Sequence, residues 1–260
     1  MLVIGGICLL SLGGLELVER LVPAQTRQKH NDVAGFIYAA LGVIYAVLIA
    51  LVVIAVWEEF QAANETVEQE ANAVAEIAWL GNRLPEPEGT HIQELARSYA
   101  EEVVHKEWPL MEQGQAPLME SEEGTPTGWT LIDDIRATLQ DLEPHTKAEE
   151  QLYAEGLDQV QILADARRMR LVAAEEGLPG VLWVVLIFGG IAAVGFTYLF
   201  GLANTWAHRL MVVTLAAVIG LVLFTIGAME HPFSGGARIG TGAFDLILER
   251  FETSKLSNLR

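Results

Sequence analysis

A regular stripe of side chains in one apolar stretch, residues 33–57, has the pattern that an ion path across a membrane needs. Its members recur every three or four residues and so share one face of a helix: Tyr38, Gly42, Tyr45, Ile49, Val53 and Val56. Small and tyrosine residues come first and aliphatic residues last, which suits a vestibule that narrows to a hydrophobic constriction at Ile49 and Val53. The same pattern suits plain helix packing, because small residues let helices approach closely. The residues alone leave both interpretations open.

Acidic side chains follow this stripe at once and dominate the region beyond it. Glu58 and Glu59 come directly after the apolar stretch, where the mouth of a pore would lie, and acidic rings favour cations. Residues 58–179 contain 27 acidic and 8 basic residues, so they account for the whole formal net charge of −18. Such a region disfavours nucleic acid and anionic lipid and enriches cations nearby, although an acidic surface can also serve solubility alone.

Three arginines stand out in this acidic region: Arg167, Arg168 and Arg170. They lie about ten residues before the third apolar stretch, and Glu65, Glu68 and Glu70 lie about ten residues after the second. If both helices rise from the same membrane face, the two groups have a similar height above it. We therefore expect ion pairs between the two helices. Contact with lipid headgroups and an anion-attracting ring in an oligomer are the alternatives.

Four apolar stretches must position these residues, and each is long enough to cross a bilayer as a helix. They cover residues 1–18, 33–57, 180–203 and 210–229, approximately. The pattern predicts an all-α polytopic membrane protein with four segments: a first transmembrane hairpin at 1–57, an acidic helical extramembrane domain at 58–179, a second hairpin at 180–229 and a tail at 230–260. In the short loops and near the span ends, four Lys or Arg residues lie on each side, so their distribution does not orient the chain.

The extramembrane domain shows helical periodicity throughout. Apolar residues continue at roughly heptad spacing after residue 57, and no Gly or Pro intervenes before Gly81. The second span is therefore expected to run on into this domain as one helix of about 45 residues. Further helices are expected from about residue 90, over residues 129–142 and over residues 146–176.

Motifs for enzymatic chemistry are missing from the sequence. The six histidines form no close metal pair, and no phosphate-binding or dinucleotide-binding loop and no nucleophile elbow is present. The single cysteine, Cys8, lies in the first apolar stretch, so an intramolecular disulfide is impossible. We expect no enzyme activity, no metal site and no cofactor.

Three blocks of the sequence carry a resemblance to a known family. They are HNDVAGFIYAALGVIYAVLIALVVIAVWEEFQAANETVEQEANAVAEI, LYAEGLDQVQILADARRMRL and HPFSGGARIGTGAFDLILERF. The chain resembles the bacterial bestrophin-like family of four-span membrane proteins and, more distantly, the bestrophins. That resemblance implies a homopentameric ion channel, a second span with a hydrophobic neck that lines the pore, and a cytoplasmic large domain. After Pro232 and Phe233 no carboxylate occurs before Asp245, so calcium gating of the bestrophin type is not expected.

Two hypotheses of different classes follow. The first is a homo-oligomeric, preferably pentameric, ion channel of the bacterial inner membrane that contacts lipid and favours inorganic cations. The second is a non-conducting membrane scaffold or sensor whose long helices serve assembly or signalling. In the second hypothesis, the stripe from Tyr38 to Val56 only packs against other helices.

Overall fold

The computed structural model describes residues 2–115 and 127–258, and these are helical with short connections. The helices in chain order are α1 (Leu2–Leu21), α2 (Ala24–Gln28), α3 (Asn31–Gly81), α4 (Glu88–Glu102), a π-helical segment (Val103–Glu107), α5 (Trp108–Glu112), α6 (Gly128–Gln140), α7 (Lys147–Glu175), α8 (Gly180–Thr197), α9 (Thr205–Met229) and α10 (Gly242–Asn258). The predicted all-α class is confirmed.

The chain divides into two compact units. The first contains Met1–Glu58 and Leu178–Glu230, and the second contains Glu59–Gly177 and His231–Arg260. The sequence interpretation treated residues 230–260 as a separate tail, whereas α10 packs into the core of the second unit through Phe244 and Ile247. Helix α3 begins in the first unit and ends in the second, and its 51 residues exceed the length of about 45 that the apolar pattern predicts.

The first unit is a bundle of apolar helices. Among the described residues, three helices have the length and composition to cross a membrane: α3, α8 and α9. The first predicted span, residues 1–18, coincides with α1. A buried cluster joins α1, α3, α8 and α9 through Leu15, Tyr45, Val194 and Val212.

Side-chain hydrogen bonds stabilise the turn that follows α8. The Nη1 atom of Arg27 donates to the carbonyls of Tyr198 and Phe200, at 2.9 and 3.1 Å. The side chain of Asn31 binds both the carbonyl and the N–H of Gly201. Carbonyls at a helix C-terminus have no partner within the helix, so these two side chains satisfy groups that would otherwise be unpaired.

The second unit is built on the continuation of α3. Val67, Val74 and Ile77 on α3 are buried against residues of α4, α6 and α7. Helix α7 begins with a capping box, in which the Thr146 hydroxyl accepts from the N–H of Glu149 while the Glu149 carboxylate accepts from the N–H of Thr146. This cap fixes the start of the helix that carries the three arginines.

Candidate functional site: helix α3 and the buried charges beside it

The stripe that opens with Tyr38 faces other helices of the same unit. The Tyr45 hydroxyl donates to the Leu186 carbonyl of α8 at 2.8 Å. The Tyr45 ring lies on Gly189 and Gly190, where a Cβ at Gly189 would approach the ring to 2.5 Å. Glycine at this position therefore allows the close approach of the tyrosine ring to α8, as small residues do between membrane helices.

The other members of the stripe lie on the same packed side of α3. The Tyr38 ring stacks on Phe196 with 5.8 Å between centroids. Val56 is fully buried with Leu186 and Ile226, and Ile49 and Val53 are half-buried against the same cluster. Gly42 is half-buried as well. Within one chain this stripe is mainly a packing surface, on which Tyr38, Gly42, Ile49 and Val53 stay partly exposed.

The opposite side of α3 is exposed and apolar. Its most exposed residues recur at helical spacing: Phe36, Val43, Ile44, Val47, Leu51 and Ile54. The sequence analysis overlooked this side because both sides of the span are apolar, and periodicity cannot then tell which one packs within the chain. The stripe on the other side was singled out because it contains tyrosine and glycine residues, and the tyrosines make specific contacts there.

Glu58 and Glu59 end the apolar part of α3, and both are exposed. Glu58 is the last α3 residue of the first unit, and Glu59 is the first of the second unit. Their carboxylates come directly after the exposed apolar residues in one unbroken helix. Two carboxylates per chain at this point multiply in any symmetric oligomer into an acidic ring.

Arg170 lies at the centre of a buried set of charges in the second unit. Its side chain is 0% exposed, and its Nε and Nη2 atoms donate to the Glu70 carboxylate at 2.6 and 3.0 Å. Nη2 also donates to Glu107 at 2.7 Å, and Nη1 to the Met111 sulfur at 3.3 Å. The Tyr99 hydroxyl donates to Glu70 at 2.5 Å. The Glu70 carboxylate is therefore bound by Tyr99 of α4 and by Arg170 of α7.

Arg167 completes the set. Its Nη1 and Nη2 atoms donate to the two oxygens of Glu107 at 2.8 and 2.6 Å, the parallel geometry that suits a guanidinium and a carboxylate. The Arg167 guanidinium also lies 5.1 Å from the centroid of the Trp129 ring. Gly128 leaves room for it, because a Cβ there would lie 2.3 Å from Nη1. Two cations and two anions are thus matched inside the protein.

The matched charges shift one another's pKa values. Burial raises the pKa of Glu107, but the Arg170 and Arg167 guanidinium groups outweigh burial and hold that pKa below its ordinary value. Burial lowers the pKa of Arg170, but Glu70 and Glu107 outweigh it and raise the pKa. Burial and the Glu70 carboxylate both raise the pKa of Tyr99. Glu107 and Arg170 therefore stay charged at neutral pH.

Of the groups expected to pair between the two helices, Arg170 and Glu70 do so, but Arg168, Glu65 and Glu68 do not. Glu65 and Glu68 are exposed on α3, and Glu68 accepts instead from the Asn64 amide one turn earlier. Arg168 is exposed and pairs with Asp165 of its own helix at 3.0 Å. The physical reason is helical phase: Glu70 shares a face with buried Val67 and Val74, whereas Glu65 and Glu68 point away from that face.

Glu107 was missed by the sequence analysis. It ends the π-helical segment Val103–Glu107, where the chain between α4 and α5 is wound more loosely than an α-helix. A π-helical turn changes the side that later residues face, so the α-helical period from α4 does not predict that Glu107 is buried. A carboxylate three residues after Val104 and directly before Trp108 was the available signal, and it is weak.

Metal binding finds no support in the described ranges 2–115 and 127–258. No group of three or more His, Cys, Asp or Glu side chains there is placed to hold a metal ion. The buried carboxylates Glu70 and Glu107 are already occupied by arginines. Such a balanced set of charges suits a rigid connection between helices better than proton transfer or nucleophilic chemistry.

Comparison with known proteins gives a family and a fold. The model of the Bestrophin-like domain matches residues 5–244. A substituted form of a bacterial bestrophin homologue from Klebsiella pneumoniae is similar at 13% identity with a TM-score of 0.71, covering 95% of this chain and 98% of that chain. A second structure of a bacterial bestrophin homologue from Klebsiella pneumoniae is similar at 13% identity with a TM-score of 0.67, covering 94% of this chain and 95% of that chain. A crystal structure described as a membrane protein is similar at 14% identity with a TM-score of 0.68, covering 95% of this chain and 96% of that chain. No curated protein matches.

Proposed function

This chain belongs to the Bestrophin-like family, and from that premise we propose that it forms a homo-oligomeric ion channel, preferably a pentamer. Its fold is that of bacterial bestrophin homologues, which is a fold of the ion-channel type. The channel lies in the bacterial inner membrane, with the second unit in the cytoplasm. The chain acts as a conductor of ions and not as an enzyme.

The observation that carries the proposal is the exposure of α3. Only 17% of its most apolar 18-residue window is buried within one chain. A helix this apolar must be covered by lipid or by other copies of the chain, since apolar surface is unfavourable in water. In the proposed ring, the α3 helices of the copies surround the axis and cover this exposed side.

The exposed side of α3 lines the ion path in this proposal. Val47, Leu51 and Ile54 form an aliphatic constriction that can gate by dewetting. The sequence analysis placed the constriction at Ile49 and Val53, which face about the opposite direction on the helix. Cations are favoured because Glu58 and Glu59 follow the constriction and the second unit is acidic.

Electrical recording tests this proposal directly. The purified protein is reconstituted into planar bilayers, and the currents of the wild type, Leu51→Ser and the matched control Ile49→Ser are compared. We expect ion currents in the wild type and larger currents in Leu51→Ser, because a hydroxyl lowers the cost of wetting the constriction. Ile49→Ser should leave the current close to that of the wild type.

A response to Ile49→Ser and none to Leu51→Ser would instead favour a path lined by the stripe from Tyr38 to Val56. The absence of ion current across the bilayers, over a range of voltages and ions, would contradict the channel proposal. That absence would favour the second candidate, a non-conducting membrane scaffold, for which the packing of Tyr45 on α8 is the specific observation.

A further inference from the structure

Two exposed patches of opposite character lie on α3 and α7 of the second unit. The acidic patch, on α3, consists of Ala62, Glu65, Glu68 and Asn72. The basic-apolar patch, on α7, consists of Arg168, Met169 and Val172. The Arg168 side chain is 62% exposed, Met169 is 58% exposed and Val172 is 40% exposed. Basic residues are scarce in this part of the chain, so an exposed arginine beside two exposed apolar side chains is a distinctive surface.

The two patches lie at the same level along the helices. The Arg170 Nε atom is 2.6 Å from the Glu70 carboxylate, so residue 170 of α7 is level with residue 70 of α3. Glu68 and Arg168 each lie two residues from this ion pair. At 1.5 Å per residue, Glu68 and Arg168 therefore lie within about one helical turn of it, whereas Ala62 lies about two turns along α3 from Glu70.

The two patches also face away from each other. Successive residues of an α-helix are about 100° apart, so Glu68 points about 200° away from Glu70, and Arg168 about 200° away from Arg170. Because Glu70 and Arg170 face each other, Glu68 and Arg168 lie on the outer sides of the α3–α7 pair. The pair thus presents an acidic side and a basic-apolar side in opposite directions.

Two complementary patches on different sides of one chain suit the contact between neighbours in a cyclic oligomer. A ring of identical copies joins two different patches of the chain, one from each neighbour, and rotation about an axis along the helices keeps every group at its level. We propose that in the homo-oligomer the basic-apolar patch of one copy docks on the acidic patch of the next. Arg168 then pairs with Glu68 of the partner subunit, and Met169 and Val172 pack against the helix that carries it.

This inference rests on the proposed homo-oligomer and names the surface through which neighbouring copies bind each other. It accounts for the arginine and glutamates that were expected to pair and are exposed within one chain. Within the described part of the chain, Arg168 pairs with Asp165 of its own helix, and exposed pairs of that kind contribute little. Between copies the same charges are partly removed from water, where complementary charges determine which surfaces associate.

Charge reversal tests the proposed surface. The mass of the purified protein in detergent is measured by light scattering over a dilution series for the wild type, Arg168→Glu, Glu68→Arg and the double variant. Each single variant should dissociate at a concentration about tenfold or more above that of the wild type. The double variant should recover to within about threefold, because the pair is restored with its charges exchanged.

Arg136→Glu is the matched control. Arg136 is also exposed on a helix and paired with an aspartate three residues earlier, at 3.3 Å, so its reversal changes the net charge equally. It should leave the dissociation of the oligomer unchanged. Equal dissociation in Arg136→Glu and Arg168→Glu overturns the proposed surface.

Disulfide trapping gives a second readout that needs no dissociation. In a Cys8→Ala background, Arg168→Cys combined with Glu68→Cys should form covalent dimers and higher species under mild oxidation, seen on a denaturing gel. Arg136→Cys combined with Glu68→Cys should remain monomeric on the same gel. Absence of cross-linked species from the first pair overturns the inference, while an oligomeric mass of the wild type leaves the proposed channel intact. A monomeric wild type overturns both.

Discussion

Arg170 is the residue on which the buried charges of the second unit converge, since its guanidinium binds both Glu70 and Glu107. Each charge loses its hydration on burial, and only its partners offset that cost. Arg170→Met leaves two buried carboxylates with one cation fewer. We expect the free energy of unfolding to fall by about 3–5 kcal/mol, measured by chemical denaturation of the purified protein followed by circular dichroism.

Arg136→Met is the control for that measurement. Arg136 pairs with Asp133 on the surface, where solvent screens the interaction, so we expect a change within about 0.5 kcal/mol. Similar losses in the two variants would contradict the central role of the buried charges.

Glu107 should make the second unit sensitive to acid. Burial raises its pKa, but Arg170 and Arg167 outweigh burial and hold the pKa in the folded protein below the unfolded value. Glu107 therefore stabilises the fold above its unfolded pKa of about 4.3, and this stabilisation is lost as the pH falls through the lower folded pKa. Glu107→Gln should be destabilising at pH 7, and its difference from the wild type should shrink below about pH 4.

Denaturation curves of the wild type and Glu107→Gln at pH 7, 5 and 3.5 measure this dependence. A difference that stays constant over this range would mean that the ionisation of Glu107 does not contribute. Tryptophan fluorescence is a suitable signal because Trp108, next in the chain, is buried in the same core.

At the scale of elements, the contact between α3 and α8 depends on a glycine. A Cβ at Gly189 would lie 2.5 Å from the Tyr45 ring, so Gly189→Val forces the helices apart. Overpacking of this kind costs about 1–3 kcal/mol. We expect a lower midpoint of thermal unfolding for Gly189→Val in detergent, measured as loss of monodisperse protein on gel filtration after heating.

Gly195→Val is the control on the same helix, because nothing lies within 4 Å of a Cβ at that position. It should leave the midpoint close to that of the wild type. Truncation of the ring in Tyr45→Ala should also relieve Gly189→Val in the double variant. If the two glycine variants unfold alike, the close approach of α3 to α8 is not what sets the stability of the first unit.

The elements could largely be predicted from the sequence because their signals are local. The apolar run after Val33, followed by heptad spacing and then Gly81, indicates one long helix, and α3 is such a helix. The expected helix over 146–176 corresponds to α7, which spans Lys147–Glu175. The expected start near residue 90 corresponds to α4, which begins at Glu88.

The partners of those elements could not be predicted in the same way. Glu70, Glu107 and Arg170 are far apart in the chain, and helical spacing cannot select Glu70 over Glu65 and Glu68 without knowing which side of α3 is buried. The π-helical segment removes the regular period just before Glu107. On the apolar part of α3, both sides satisfy the same hydrophobic pattern, so spacing could not distinguish Ile49 from Leu51.

At the scale of the whole molecule, the expected resemblance to the bestrophin-like family is confirmed over residues 5–244. The family and the fold support a channel, while the choice of ion depends on the charges of this particular chain. A formal net charge of −18 per copy multiplies with the number of copies, so an assembled ring carries a strong negative potential. Cations are concentrated by such a potential, and added salt screens it.

Neutralising the carboxylates next to the apolar part of α3 tests where selectivity arises. The double variant Glu58→Gln/Glu59→Gln should lower the ratio of potassium to chloride permeability, taken from reversal potentials in a KCl gradient across a planar bilayer. Glu155→Gln/Asp158→Asn removes the same charge from exposed positions on α7 and should change the ratio less. The wild-type ratio should fall as the salt rises on both sides, because the Debye length shortens from about 10 Å at 0.1 M to about 3 Å at 1 M. Equal effects of the two double variants would assign selectivity to the total charge of the second unit, and no effect of either would contradict electrostatic selection of cations.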